Sequence, residues 1–130
     1  MSNKAKGSNA ERELVKLFVE HDWGAVRVAG SGVGEEAFCD IIAAKSGRKG
    51  FAVEVKSSKK LTIYITKQQI NDFVIFTSIL GLRPAIAVRF NREGWLFLVP
   101  KYLKDTGKYW AVSLKTAKEK GKKFSQFFES

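Results

Sequence analysis

Asp40, Glu54 and Lys56 are the residues whose types and spacing point most directly to chemistry. Asp40 and Glu54 lie symmetrically about Gly47 in Ser46-Gly47-Arg48-Lys49-Gly50, a stretch that reads as a turn. An antiparallel hairpin centred there sets the two carboxylates nearly opposite each other, with Cβ atoms about 4.5–5.5 Å apart. Like charges so placed destabilise a sheet. A divalent cation gripped between them offsets that repulsion, and carboxylates select hard cations such as Mg²⁺ or Mn²⁺. Lys56 follows Glu54 by two positions, shares its face and supplies one positive charge. A Glu-x-Lys on a strand can equally be a solvated, self-paired face. The preceding Asp40-Ile41-Ile42, the symmetric spacing and the charge of the whole chain favour the site reading.

Glu11 is the second candidate. Ser8 and Glu11 have the spacing of a capping box, in which Glu11 stabilises a helix start and does nothing else. Glu11 also lies one turn from Leu14 and two from Phe18, on the edge of an apolar stripe that could aim it at a sheet. Both readings stay open on local pattern.

The whole chain narrows the field. Its 130 residues amount to one ordinary domain. With 45% hydrophobic and 28% charged residues, a packed core is expected. Lys and Arg number 23 against 13 Asp and Glu, a net charge of +10 and a pI near 9.8. Such an excess speaks of a polyanionic partner, nucleic acid or an anionic membrane surface. Lys4, Lys6, Arg27, Arg48 and Lys49 are candidate phosphate contacts. Apolar runs such as Trp95–Pro100 and Phe73–Phe76 are far below the roughly 18 residues of a membrane span. The basic start Met1–Gly7 lacks the apolar region of a secretory signal. The expectation is therefore an intracellular, cytoplasmic protein without a membrane partner. One cysteine and one histidine exclude an internal disulfide and a four-ligand Cys/His zinc site. Cys39 reads as a small core residue and His21 as the flank of a helix end.

The elements that must position these groups follow from periodicity and turn residues. Ser8 to about His21 reads as a helix, with Ala10, Leu14, Leu17, Phe18 and His21 at helical spacing. Trp23–Ala29 reads as a strand with Val26 and Val28 on one face. Gly30-Ser31-Gly32-Val33-Gly34 reads as a flexible loop. Phe38–Ala44 is strand-like. Phe51–Lys56 is a clear strand, with Phe51, Val53 and Val55 on one face and Ala52, Glu54 and Lys56 on the other. Thr62–Ile65 is a short β-prone stretch. Thr66 then caps a helix that runs to about Leu80 and stops at Gly81. Its apolar residues spread over more than one face, as in a central helix or a dimer interface. Ala85–Phe90 and Trp95–Val99 flank a hairpin turn at Asn91–Gly94, and Trp95 and Phe97 read as hairpin core or interface. Tyr109–Leu114 reads as a last edge strand. Thr116–Phe128 reads as a basic helix or a loose tail. This order gives an α/β (α+β) fold with a central mixed β-sheet flanked by helices. It is one domain over 1–130, with a basic flexible arm at 1–7 and a basic tail from about 115.

Together these residues form an ordered E…D…E-x-K set. Gly7-Ser8-Asn9-Ala10-Glu11-Arg12-Glu13-Leu14-Val15, Arg27-Val28-Ala29-Gly30-Ser31-Gly32, Asp40-Ile41-Ile42-Ala43 and Glu54-Val55-Lys56-Ser57 resemble the archaeal Holliday-junction resolvases, which have a restriction-endonuclease-like nuclease core. The resemblance covers roughly residues 7–100, with a helix-start match at Thr66–Gln69. Cys39 departs from the proline that related nucleases often place before the aspartate. The resemblance implies a homodimeric, Mg²⁺-dependent endonuclease, with Mn²⁺ able to substitute, that resolves four-way DNA junctions by paired nicks. It needs no small-molecule cofactor. Asp40 and Glu54 would hold the metal, with the Val55 carbonyl as a third ligand. Glu11 would bind or orient that site, and Lys56 would stabilise developing charge or position the attacking water. Ser31 would contact the scissile region. Gln69 would lie close to the site, although its place three residues after Thr66 also suits a capping box. A sequence-specific endonuclease of the same fold and a non-catalytic nucleic-acid-binding protein are the competing functions. The first would need base-reading elements for which 130 residues leave little room. The second leaves the Glu11, Asp40, Glu54 and Lys56 set without a purpose.

Overall fold

Alternation in Phe51–Ser58 builds the centre of the molecule. Phe51, Val53 and Val55 are buried on one face of this strand, and Ala52 and Glu54 are buried on the other. A strand buried on both faces needs a layer on each side, and the chain supplies helices for both. The computed structural model describes residues 3–28 and 38–130, the side chains of 3–6 excepted. In chain order the elements are α1 (Asn3–Glu20), β1 (Gly24–Arg27), β2 (Ile41–Ala44), β3 (Phe51–Ser58), β4 (Thr62–Thr66) and α2 (Lys67–Leu80). Then follow β5 (Arg83–Phe90), β6 (Trp95–Leu98), a 3₁₀ turn (Pro100–Tyr102), β7 (Lys104–Asp105), β8 (Tyr109–Ser113), α3 (Leu114–Lys120) and α4 (Phe124–Phe128).

The main sheet has the order β1-β2-β3-β5-β6. Only β3 and β5 pair in parallel; the other neighbours are antiparallel. The parallel pair is joined by β4 and α2, which cross over one face of the sheet. A second antiparallel sheet has the order β4-β8-β7. The mixed sheet between helices is the architecture expected from the element order.

Two cores lie on the two faces of the main sheet. On one, α1 sets Ala10, Leu14 and Phe18 against Ile41, Ala43, Val53, Val55, Ala85 and Ala87. On the other, Ile70 and Phe73 of α2 meet Ala52, Ile86, Val88 and Phe90, with Ile63, Ile65 and Val112 of the second sheet. The Thr66 side chain caps α2 by accepting from the Gln69 amide at 3.1 Å. Gly81 closes it in the left-handed conformation, φ 68°, which glycine adopts without a steric cost.

Several expectations are corrected here. The first helix begins at Asn3, so Ser8 lies inside it and caps nothing, and positions 3–7 are helical. Once Ala10, Leu14 and Phe18 anchor a helix, each further turn adds hydrogen bonds without a new nucleation cost. The described strands are shorter than expected at their ends, Gly24–Arg27 and Ile41–Ala44; Ala29 and the Gly30–Gly34 loop lie outside the described residues. Strand β8 is no edge, because β4 and β7 pair with it on both sides. Strand β6 is no open apolar surface. Leu96, Phe97 and Leu98 are buried, and Phe97 exchanges backbone hydrogen bonds with Lys122 on its outer side.

The end of the chain is not loose. Phe124 and Phe128 are buried and pack edge-on against Phe18 at 5.1 and 4.9 Å and against Phe97 at 5.9 and 4.9 Å. His21 stands beside Phe124 at 4.2 Å and donates from Nδ1 to the Leu17 carbonyl, the helix-end role expected of it. Truncating Phe128 to Ala should therefore cost about 3–5 kcal/mol, as for other large core aromatics. Urea denaturation measures this; a change near zero would mean that the aromatic cluster does not carry the end of the chain.

Candidate active site

Backbone register creates the site. Strand β2 meets β3 with Ile41 opposite Val53, Ile42 opposite Ala52 and Ala43 opposite Phe51. The regular pairing ends there, and just beyond it the Asp40 and Glu54 side chains lie close enough to interact, near the place the symmetry about Gly47 predicts. Gly47 takes φ 79°, the positive value that lets the chain reverse within so few residues. The Asp40 amide donates to the Val53 carbonyl at 3.0 Å. The Val55 amide donates to the Asp40 carboxylate at 2.8 Å. That bond fixes the carboxylate between the two strands.

Glu54 is 2% exposed and Asp40 8%. Two buried carboxylates face one ammonium, Lys56 Nζ, 3.9 Å from Glu54. The Gln69 side-chain amide donates to the Glu54 carboxylate. Gln69 thus uses its backbone for the α2 cap and its side chain for the site. The reciprocal half of a capping box is not made. The helix start, fixed by Thr66, is what delivers the amide.

The electrostatics show a site short of positive charge. Burial pushes Glu54 up to about 8, and the neighbouring Asp40 carboxylate pushes in the same direction; Lys56 and Gln69 only partly oppose them. Burial, with the nearby Glu54 and Asp40 charges, pushes the Cys39 thiol up to about 12, so this cysteine is an inert core residue at neutral pH. Glu11 reaches the same neighbourhood from α1. Burial raises its pKa, and the Asp40 charge raises it further. Its carboxylate accepts from Arg27 Nε at 3.2 Å, which pulls the other way.

Not every expected residue converges. Among the described residues no group of three or more His, Cys, Asp and Glu side chains is arranged to hold one ion. The pair is Asp40 and Glu54, with Glu11 turned toward Arg27. Arg27, a candidate phosphate contact, is therefore engaged by Glu11. Arg48 and Lys49 sit in the turn at the opposite end of β3 from Lys56. Ser31 and the side chains of Lys4 and Lys6 lie outside the described residues. The donor set nevertheless suits a hard cation. Two buried oxygen ligands with less than compensating positive charge are the arrangement that a divalent ion completes.

An α+β core whose central hairpin buries two carboxylates beside a lysine defines a nuclease-type domain. The sequence matches the family model for archaeal Holliday junction resolvase (hjc) over residues 2–130. It is 32% identical over 132 residues to a crossover junction endodeoxyribonuclease Hjc of Archaeoglobus fulgidus, covering 96% of each chain. It is 39% identical over 110 residues to the Hjc of Methanocaldococcus jannaschii, covering 82% of this chain and 75% of that one. The solved structure of Archaeoglobus fulgidus Hjc, a Holliday junction resolvase, superposes with a TM-score of 0.84 at 28% identity, over 92% of this chain and 98% of the other. The chain belongs to the archaeal Holliday junction resolvase family. Membership carries metal-dependent nuclease chemistry in general.

The raised Glu54 has a measurable consequence for the metal-free protein. A carboxyl whose folded value lies above its unfolded one favours the folded state fully below about 4.5. That contribution is lost as pH rises through about 8. Glu54→Gln removes this slope. In chelator at pH 8 the variant should melt higher than the parent by about 4 °C or more, and the gap should shrink toward pH 5. Scanning calorimetry at the two pH values checks this; an equal or lower melting point at pH 8 would show that the carboxylate pair is not under the charge strain described.

Proposed function

We propose that this protein is a Mg²⁺-dependent endonuclease that resolves four-way DNA junctions by paired symmetric nicks, acting as a homodimer. The observation that carries the reading is the buried Asp40–Glu54 pair with Lys56 on the same face. Phosphodiester hydrolysis needs a positioned water, an in-line approach and neutralised charge. A bound Mg²⁺, for which Mn²⁺ can substitute, supplies charge neutralisation and a more acidic water. Asp40 and Glu54 would hold it, with the Val55 carbonyl as a third oxygen.

The remaining roles belong to the chain. The Val55 amide keeps Asp40 from rotating away. Gln69 holds the Glu54 carboxylate in one orientation, a supporting bond that is typically worth about 10–100-fold in metal affinity or activity. Lys56 reaches the same oxygens and would stand against the charge that develops on the phosphate oxygens. Glu11, raised and paired to Arg27, would orient the metal side of the site, and Ser31 would contact the scissile region. Lys4, Lys6, Arg27, Arg48 and Lys49 remain proposed phosphate contacts. With Arg48 and Lys49 at the far end of β3, they imply a footprint that extends well beyond the scissile bond.

Pairing of nicks needs two sites on matching strands, which an isologous dimer provides. The surface that supports it is α2. Ile70, Phe73 and Thr77 face the core, while Val74, Ile75, Ile79 and Leu80 are exposed, Ile79 by 76%. Phe38 extends this patch by packing on Phe76 at 5.7 Å. Exposed apolar area of this kind marks an interaction surface.

Asp40→Asn and Glu54→Gln should each abolish Mg²⁺-dependent nicking of a labelled junction. Both should bind it nearly as tightly as the parent, with log affinity falling against log salt by about 0.9 per phosphate contact. Near-normal nicking by either variant sinks the site assignment. Preference for junction over duplex of the same sequence separates this function from a sequence-specific nuclease. Ile79→Glu, which adds a charge to the exposed α2 face, should turn a dimer into a monomer in sedimentation equilibrium at micromolar concentration. A parent that is already monomeric there yet makes paired nicks would contradict the dimer.

A further inference from the structure

At the opposite end of β3 from Lys56 lies a second concave site that the nuclease reading does not use. Phe51 opens β3 three residues before Glu54, about 10 Å along the strand at roughly 3.3 Å per residue. Its side chain points to the other face of the sheet from Glu54. There it lines, with Phe97 and Phe127, a cleft of about 480 Å³, in which Phe51 and Phe97 are themselves buried. Phe127 is half-buried, 5.8 Å from Phe51 and 6.0 Å from Phe97 between ring centres.

The charged side chains of the rim are all basic. Arg83 from β5, Lys101 from the 3₁₀ turn, Lys120 at the end of α3 and Lys122 just after it surround the floor, and no Asp or Glu lines the cleft. None of these four cations forms an ion pair among the described residues, whereas Lys45, Lys67 and Lys118 each have a carboxylate partner. Two of them converge. The Lys101 and Lys120 ammoniums both approach the Tyr102 ring, at 5.2 and 5.9 Å from its centre. Like charges gathered on one aromatic side chain leave a position that an anion would occupy favourably.

We propose that this cleft docks an acidic segment of a partner protein. Its carboxylates would meet Lys101, Lys120, Lys122 and Arg83, and one apolar side chain would rest against Phe127 and Tyr102. An apolar floor inside a charged rim is the usual anatomy of a protein interface, and the opposite charges would set its specificity and encounter rate. Duplex DNA suits the rim but not the floor. Its backbone is a charged ridge with its bases stacked inside, so it has nothing apolar to set against Phe127 and Tyr102. The site therefore serves recruitment rather than cleavage.

The test is fluorescence polarisation at near-physiological salt, with the full chain and a short labelled peptide of Asp residues flanking one Phe. A peptide with Ser in place of Phe is the control. Lys101→Glu with Lys120→Glu should weaken peptide binding at least tenfold. Lys104→Glu with Lys108→Glu, an equal change of net charge elsewhere, should leave it within about twofold, and junction nicking should be unchanged in both. Equal loss in the two double variants, or equal binding of the Ser peptide, would reduce the effect to general attraction by a basic protein and overturn the proposal. So would a cleft variant that loses junction affinity instead, which would make the cleft a contact for a DNA arm. A change of sedimentation mass in the cleft variant would assign the surface to a second copy of this chain and overturn it equally.

Discussion

The structure depends on one unfavourable interaction, the juxtaposition of the Asp40 and Glu54 carboxylates in a buried hairpin. Neither can escape. Asp40 is tied by its own amide to Val53 and by its carboxylate to the Val55 amide. Glu54 lies on a strand paired on both sides, with Gln69 closing over it from α2. Burial and mutual repulsion push the Glu54 carboxyl up to about 8. A site under such charge strain is stable on its own only when protonated or when it gains a cation, and the rest of the fold is the frame that holds it there.

That frame explains why both helical layers are needed. Helix α1 covers the face with Val53 and Val55 and brings Glu11 toward Asp40. Helix α2 covers the face with Ala52 and Val88 and brings Gln69 to Glu54. The β4–α2 crossover that makes β3 and β5 parallel is also what places the start of α2 over the carboxylates. The aromatic cluster of Phe18, Phe97, Phe124 and Phe128 then locks α1 to the far edge of the sheet and to the end of the chain. Stability and site geometry thus draw on the same packing.

Much of this was legible in the sequence because the signals were local. The hairpin centred on Gly47, the alternation of Phe51–Lys56, the Thr66 cap and the Gly81 stop all act within a few residues, and each stands as expected. The misreadings came from contacts between distant parts of the chain. Ser8 has the spacing of a cap, but packing of Ala10, Leu14 and Phe18 carries the helix past it. Strand β8 shows no sign of having two neighbours, because β4 precedes it by more than forty residues. The final segment reads as basic, yet two of its three phenylalanines face the core at a spacing of four, and that apolar repeat was the signal overlooked. For Gln69 the local pattern offered both roles, and its side-chain contact with Glu54, fifteen residues away, is not a local signal.

The most direct test of the account is calorimetric titration of the protein with Mg²⁺ at pH 7 in two buffers of different ionisation enthalpy. A Glu54 carboxyl raised to about 8 is largely protonated there and must give up its proton to become a ligand. The account predicts release of about one proton per ion bound, with both binding and release lost in Asp40→Asn. Tight binding without proton release, or binding that survives in Asp40→Asn, would contradict it.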